Sequence, residues 1–153
     1  MTTPTQRLAE LGITLPAVAA PAGSYVPARR TGSLVFTAGQ VPFVDGKLAA
    51  TGKVGAEVTA EDAPGIARIC ALNALAAVDA LVGLDAVTGV VKAVVFVASA
   101  PGFGGQPGVA NGASDLLAEV FGEAGRHARS AVGVAELPLD APVEVELIVE
   151  VTP

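Results

Sequence analysis

Residues 59–99 read TAEDAPGIARICALNALAAVDALVGLDAVTGVVKAVVFVAS, and the fold is decided within them. The stretch 59–83 predicts a long helix. Ile66, Ile69, Cys70, Ala74 and Ala77 recur at helical spacing, and Leu72, Leu75 and Leu81 broaden the apolar surface. Thr59 is placed to cap its start, Glu61 and Asp62 put negative charge at the positive end of the helix dipole, and Pro64 is tolerated only in an early turn. Gly83 suits the exit. The following VTGVVKAVVFVASA is continuously apolar and β-branched, the pattern of a central strand covered on its faces. Asn73 interrupts the helical stripe. A buried amide without partners costs roughly 1–3 kcal/mol, so it is expected to hydrogen-bond a loop or a helix end.

Working outward, YVPARR and SLVFTAG (residues 25–30 and 33–39) read as two strands joined at Thr31-Gly32, and Asp45-Gly46 is a good turn pair that leads to a brief strand. After the Gly/Pro loop 101–108 a second helix is expected over 110–125, with Leu116, Leu117, Val120 and Phe121 on its buried face. SAVGVAEL and VEVELIVEV are strands flanking a turn at Pro138–Pro142. The predicted order is β-β-(β)-α-β-α-β-β, an α/β (α+β) fold with one mixed sheet and two helices packed on one face. Residues 1–22, a short amphipathic start ended by Gly12 and a Pro/Ala connector, read as an N-terminal extension; 23–153 form the single domain.

Composition narrows the function. Just over half of the 153 residues are apolar, 16% are charged and the mean hydropathy is +0.60, so the uncovered sheet face is expected to be buried by another copy of the chain. Val90–Ala98 is too short to cross a bilayer and the N-terminus lacks a signal-like core, which makes the cytoplasm the expected location and membranes no partner. The net charge of −6 argues against a general nucleic-acid binder. Cys70 is the only cysteine, which excludes an internal disulfide and a thiolate metal cluster; it reads as a buried, inert thiol.

Phosphate-loop, dinucleotide and HExxH signatures are absent, and no metal site is expected. GFGG at 102–105 reads as a flexible loop, and His127, the only histidine, as a packing or surface residue. What remains is Arg129 at a strand entrance and Glu144 on the final strand, which a hairpin would bring near one sheet end. A guanidinium can clamp a carboxylate through two parallel hydrogen bonds, and a carboxylate can hold or activate water. An ordinary surface ion pair satisfies the same spacing.

Three blocks carry a resemblance: LVFTAGQVP at 34–42, VVKAVVFVAS at 90–99 and ARSAVGVAELPLDAPVEVELIVEV at 128–151. Together they resemble the RidA-like (YjgF/UK114) family, once named endoribonuclease L-PSP. The resemblance implies a chorismate-mutase-like fold, a homotrimer with ligand clefts between subunits, and no cofactor. It further implies hydrolysis of small 2-imino or enamine acids to 2-keto acids and ammonia, with non-catalytic binding of a small carboxylate metabolite or ribonuclease activity as the alternatives. Arg129 matches the family's carboxylate-binding arginine and Glu144 its acidic partner that handles water. Gly39 and Gln40 match a pocket-lining GQ pair, Tyr25 a tyrosine near the pocket, Phe103 an aromatic beside the loop, and Asn111 a helix-start asparagine. Tyr25 also reads as an edge-strand core aromatic and Asn111 as a simple helix cap. The chain departs from the family pattern at Ala131, where relatives carry cysteine, at Gly133, where they carry glutamate, and in a longer 101–109 loop.

Overall fold

A computed structural model describes residues 1–153. Helix α1 (Pro4–Glu10) is followed by an extended segment, then strands β1 (Ala28–Thr31), β2 (Leu34–Thr37), β3 (Phe43–Val44) and β4 (Lys47–Leu48). Helix α2 (Ala63–Val82), strand β5 (Val87–Ala98), helix α3 (Gln106–Phe121) and strands β6 (Ala128–Val134) and β7 (Val143–Val151) complete the chain. The main sheet has the order β1-β2-β7-β5-β6, with only the β5–β6 pair parallel.

The expected single sheet with two helices is corrected in two respects. β3 and β4 form a separate two-stranded sheet, and α1 is a third helix. The hairpin separates because Asp45 and Gly46 both take positive φ, 51° and 80°, and turn the chain back on itself after two residues. Helix α1 forms because Thr3 and Gln6 cap it reciprocally and Leu8 is buried. Arg7 Nε donates to the Glu119 carbonyl of α3 at 2.9 Å, and the Thr5 N–H donates to Asp85 at 2.8 Å. The N-terminal segment is thus fastened to the domain.

Helices α2 and α3 lie against the face of the sheet formed by Ala93, Val95 and Val97 of β5 and Val143, Val145, Leu147 and Val149 of β7, all buried. Alternation along the strands sends Glu144, Glu146 and Ile148 to the opposite face. Helix α2 is long and apolar enough to cross a membrane by length and composition, but Ala67, Cys70, Ala71, Ala74, Leu75 and Val78 are fully buried, as suits a core helix. It starts at Ala63 after Asp62, one turn later than a cap at Thr59 predicts; Thr59 Oγ instead accepts from the Asp62 N–H. Gly83 ends it, as expected. Asn73 Nδ2 donates to the carbonyls of Val41 and Phe43, both at 3.1 Å, so the buried amide finds its loop.

Helix α3 begins at Gln106, four residues before the expected start. Gly105, Pro107 and Gly108 look like loop residues, yet proline in the first turn needs no helical donor. β6 and β7 are not a pair, because β5 lies between them. The connection through the 3-10 turn Pro138–Asp140 crosses the end of β5, where the Ala98 N–H donates to the Pro142 carbonyl and the Ser99 N–H to that of Val134.

Candidate functional site

The seven candidate residues fall into two groups on opposite faces of the sheet. Arg129 sits level with Ala93 of β5, which faces the helices, whereas Glu144 sits level with Phe96, three residues further along and on the other face. The hairpin expected to bring Arg129 and Glu144 to one sheet end therefore does not exist within one chain, since β5 separates their strands.

Glu144 lines a cleft of about 420 Å³ together with Tyr25, Gly39 and Gln40. The walls are largely apolar and come from the 19–22 segment, Phe43 and Leu139; Glu144 is the only charged lining residue. Gly39 is essential to this packing. A Cβ built on it would fall 2.7 Å from Glu144 Cδ and 2.8 Å from Oε1, so only glycine lets the carboxylate lie on the backbone there. Gln40 extends the sheet: its N–H donates to the Val145 carbonyl at 2.8 Å and its carbonyl accepts from the Val145 N–H at 3.0 Å. That pairing fixes Gly39 beside Glu144. Tyr25 is half exposed, with its hydroxyl accepting from the Ala22 N–H at 3.1 Å, which makes it a clasp for the extended segment rather than a core aromatic.

Burial raises the Glu144 carboxyl above the ordinary glutamate range, and the negative charge of Glu146 on the same face adds to the effect. No protein hydrogen bond opposes that rise. Cys70, fully buried on α2, is pushed well above the usual thiol range by burial first and by the Glu144 charge second; its Sγ lies 3.4 Å from the Val143 carbonyl. A thiol so placed is a poor nucleophile.

The second group surrounds Arg129. Its Nη1 donates to Asn111 Oδ1 at 2.8 Å and Ser114 Oγ at 3.2 Å, and its Nη2 donates to the Pro107 carbonyl at 3.3 Å. Positions 107, 111 and 114 form one stripe of α3, so the helix presents three acceptors to one guanidinium. Asn111 lies in the second turn of α3, beyond the cap position. Three of the five guanidinium donors are thereby used; the Nε–H and one Nη2–H remain. Phe103 packs against the core nearby, its carbonyl accepting from Gln106 Nε2 at 2.8 Å.

The departure at Gly133 has a local cause. A Cβ there would lie 2.8 Å from Gln106 Nε2 and 3.1 Å from Ser99 Oγ, which hydrogen-bond each other at 3.2 Å. The early start of α3 puts Gln106 where a longer side chain at 133 would need space. Ser114 and His127 were not selected from the sequence as site residues, although Ser114 follows Asn111 by three positions and so shares its face. No three His, Cys, Asp or Glu side chains converge anywhere in the chain.

Residues 5–151 match the family model described as "YjgF/chorismate_mutase-like, putative endoribonuclease". Protein TCP17 of Trypanosoma cruzi is 50% identical over 145 residues, covering 94% of this chain and 91% of that protein. A crystal structure from Shewanella oneidensis, also bearing the endoribonuclease name, superposes with a TM-score of 0.93 at 36% identity, over 97% of this chain and 99% of that one. E. coli TdcF, solved with bound serine, is 28% identical with a TM-score of 0.66, over 91% of this chain and 96% of that one. With the family model matched over nearly the whole chain and a relative 50% identical over 94% of it, the chain belongs to the YjgF/RidA/UK114 family.

Proposed function

We propose that the protein hydrolyses small 2-imino acids, or their enamine tautomers, to 2-keto acids and ammonia, in clefts completed by a neighbouring subunit of a homotrimer. The observation that carries this reading is Glu144: a carboxylate in an apolar cleft, without a protein donor and with a raised proton affinity. While ionised it is a stronger base than a solvated glutamate, which suits removal of a proton from attacking water. Family membership supports imine handling or a related small-molecule activity.

The cleft around Glu144 holds no cation of its own. Arg129, with an unused N–H edge, stands on the other face of its sheet. A ligand with a carboxylate and an imine carbon thus needs the two half-sites from different copies. In the reaction, Arg129 holds the carboxylate in two parallel hydrogen bonds, and Glu144 orients a water and accepts its proton as oxygen bonds to the carbon of the protonated imine. Glu144 returns that proton to the nitrogen of the resulting carbinolamine, and as ammonia leaves the carboxylate takes the hydroxyl proton, giving the keto acid; the proton then passes to the departing ammonia, which ends as ammonium. An iminium carbon is already electrophilic, so the step uses only these side chains and water.

The test generates 2-aminoacrylate in situ with a serine dehydratase and follows pyruvate formation. The wild type is expected to accelerate hydrolysis, with Glu144→Ala slower by about 10²-fold or more and Arg129→Ala also impaired. Equal rates for all three and for buffer would overturn the enzyme reading. TdcF with bound serine supports a second reading, a carboxylate-binding protein without turnover. Saturable pyruvate binding in the absence of any rate enhancement would select it. Cleavage of labelled RNA that co-purifies with the protein and is lost in Glu144→Ala would instead favour a ribonuclease.

A further inference from the structure

Beyond Arg129 a hydrogen-bonded chain continues through residues that the proposed chemistry does not use. Ser114 Oγ lies 2.9 Å from His127 Nε2, and His127 Nδ1 lies 2.6 Å from the Gly125 carbonyl oxygen. A carbonyl oxygen only accepts, so Nδ1 carries a proton and donates to it. With the ring neutral, Nε2 is then an acceptor, and the Ser114 hydroxyl donates to it. The same hydroxyl oxygen accepts from Arg129 Nη1. In that tautomer the donors run one way, from the guanidinium through the Ser114 hydroxyl and the ring to the Gly125 carbonyl. A charged imidazolium would reverse the His127–Ser114 bond, leave the serine proton without a partner, and set a second cation one hydroxyl away from Arg129.

We infer that Ser114 and His127 are positioning residues for Arg129. The neutral Nδ1–H tautomer of His127 orients the Ser114 hydroxyl, and Ser114 with Asn111 occupies both Nη1 donors, which turns the Nε–H and remaining Nη2–H edge outward to a carboxylate. This rests on the reading of Arg129 as the carboxylate grip. The geometry explains why the arrangement uses two acceptors on one stripe of α3: Asn111 and Ser114 are three residues apart, and together they fix the guanidinium plane about both of its Nη1 hydrogens. The Pro107 carbonyl engages one Nη2 hydrogen at the same time. A guanidinium fixed in this way keeps its two parallel donors aligned before the ligand arrives, so less rotational freedom is lost on binding.

Pyruvate is the probe, titrated by calorimetry against the full chain in its native oligomeric state. Ser114→Ala and His127→Phe are each expected to weaken pyruvate binding about tenfold at an unchanged melting temperature, and Ser114→Thr, which keeps the hydroxyl, to bind as the wild type does. Long-range proton–nitrogen NMR of the wild type at neutral pH is expected to show the proton on Nδ1 alone. An Nε2–H tautomer, an imidazolium, or wild-type affinity in both Ser114→Ala and His127→Phe while Arg129→Ala loses binding would overturn the inference. If Arg129→Ala itself binds pyruvate normally, the carboxylate reading is what fails. The relay is then judged by solvent exchange of the Arg129 Nη1 protons, which faster exchange in Ser114→Ala upholds and an unchanged rate refutes.

Discussion

At the scale of single residues, the proposed role of Glu144 sets stability against chemistry. The folded chain holds the Glu144 proton more tightly than the unfolded chain, so stability declines as pH rises from the ordinary glutamate value of 4.5 through the raised one. Glu144→Gln removes the buried charge and is expected to melt at a higher temperature than the wild type at neutral pH, while losing turnover. The advantage should shrink as pH falls through the raised value to 4.5 and be gone below it, where the wild-type side chain is protonated in both states. Thermal melts across that range check the sign. Much of this scale was legible beforehand. Gly39, Gln40, Tyr25 and Glu144 do share a cleft, and Asn73 does find a loop carbonyl. The link from Arg129 through Ser114 to His127 was not. A lone histidine next to a strand reads as packing, and its partner emerges only once α3 is laid over β6.

Elements show where local pattern misled. The segment Gly104–Gly108 has the composition of a loop, yet the helix begins at Gln106, whose side chain hydrogen-bonds back to Ser99 and to the Phe103 carbonyl. The strand pair β6–β7 looked like a hairpin because a short turn joins two apolar runs, a reading that nothing local contradicts; the strand that separates them lies far upstream. The α2–α3 crossing depends on a detail that periodicity cannot supply. At Gly112 an added Cβ would run into the Pro64 backbone of α2, whereas at Gly108, in the same helix, it would meet open space. Gly112→Ala is therefore expected to destabilise the fold by about 1–3 kcal/mol through overpacking, and Gly108→Ala to stabilise it by up to about 1 kcal/mol. Denaturant titration of the two variants side by side distinguishes helix propensity from packing.

For the whole molecule, the excess of apolar composition acquires a location. Phe36, Val91 and Val132 are each more than two-fifths exposed, and Phe36 and Val132 stand with half-buried Val94, Phe96 and Ile148 on the sheet face opposite the helices. Composition alone indicated that a face needed cover; the strand register says which one. If neighbouring copies cover it, Phe36→Glu and Val132→Glu are expected to shift the protein to smaller species in sedimentation velocity. A wild-type chain that sediments as a monomer, or variants that keep its mass, would refute burial of that face between copies.

The Asn73 amide has a reach that its burial conceals. By holding the carbonyls of Val41 and Phe43, it ties two cleft-lining residues to the middle of the core helix. The shape of the cleft is consequently written partly in the hydrophobic interior, and if the cleft takes the proposed ligand, interior substitutions that shift α2 are expected to retune ligand choice without touching any cleft-lining residue.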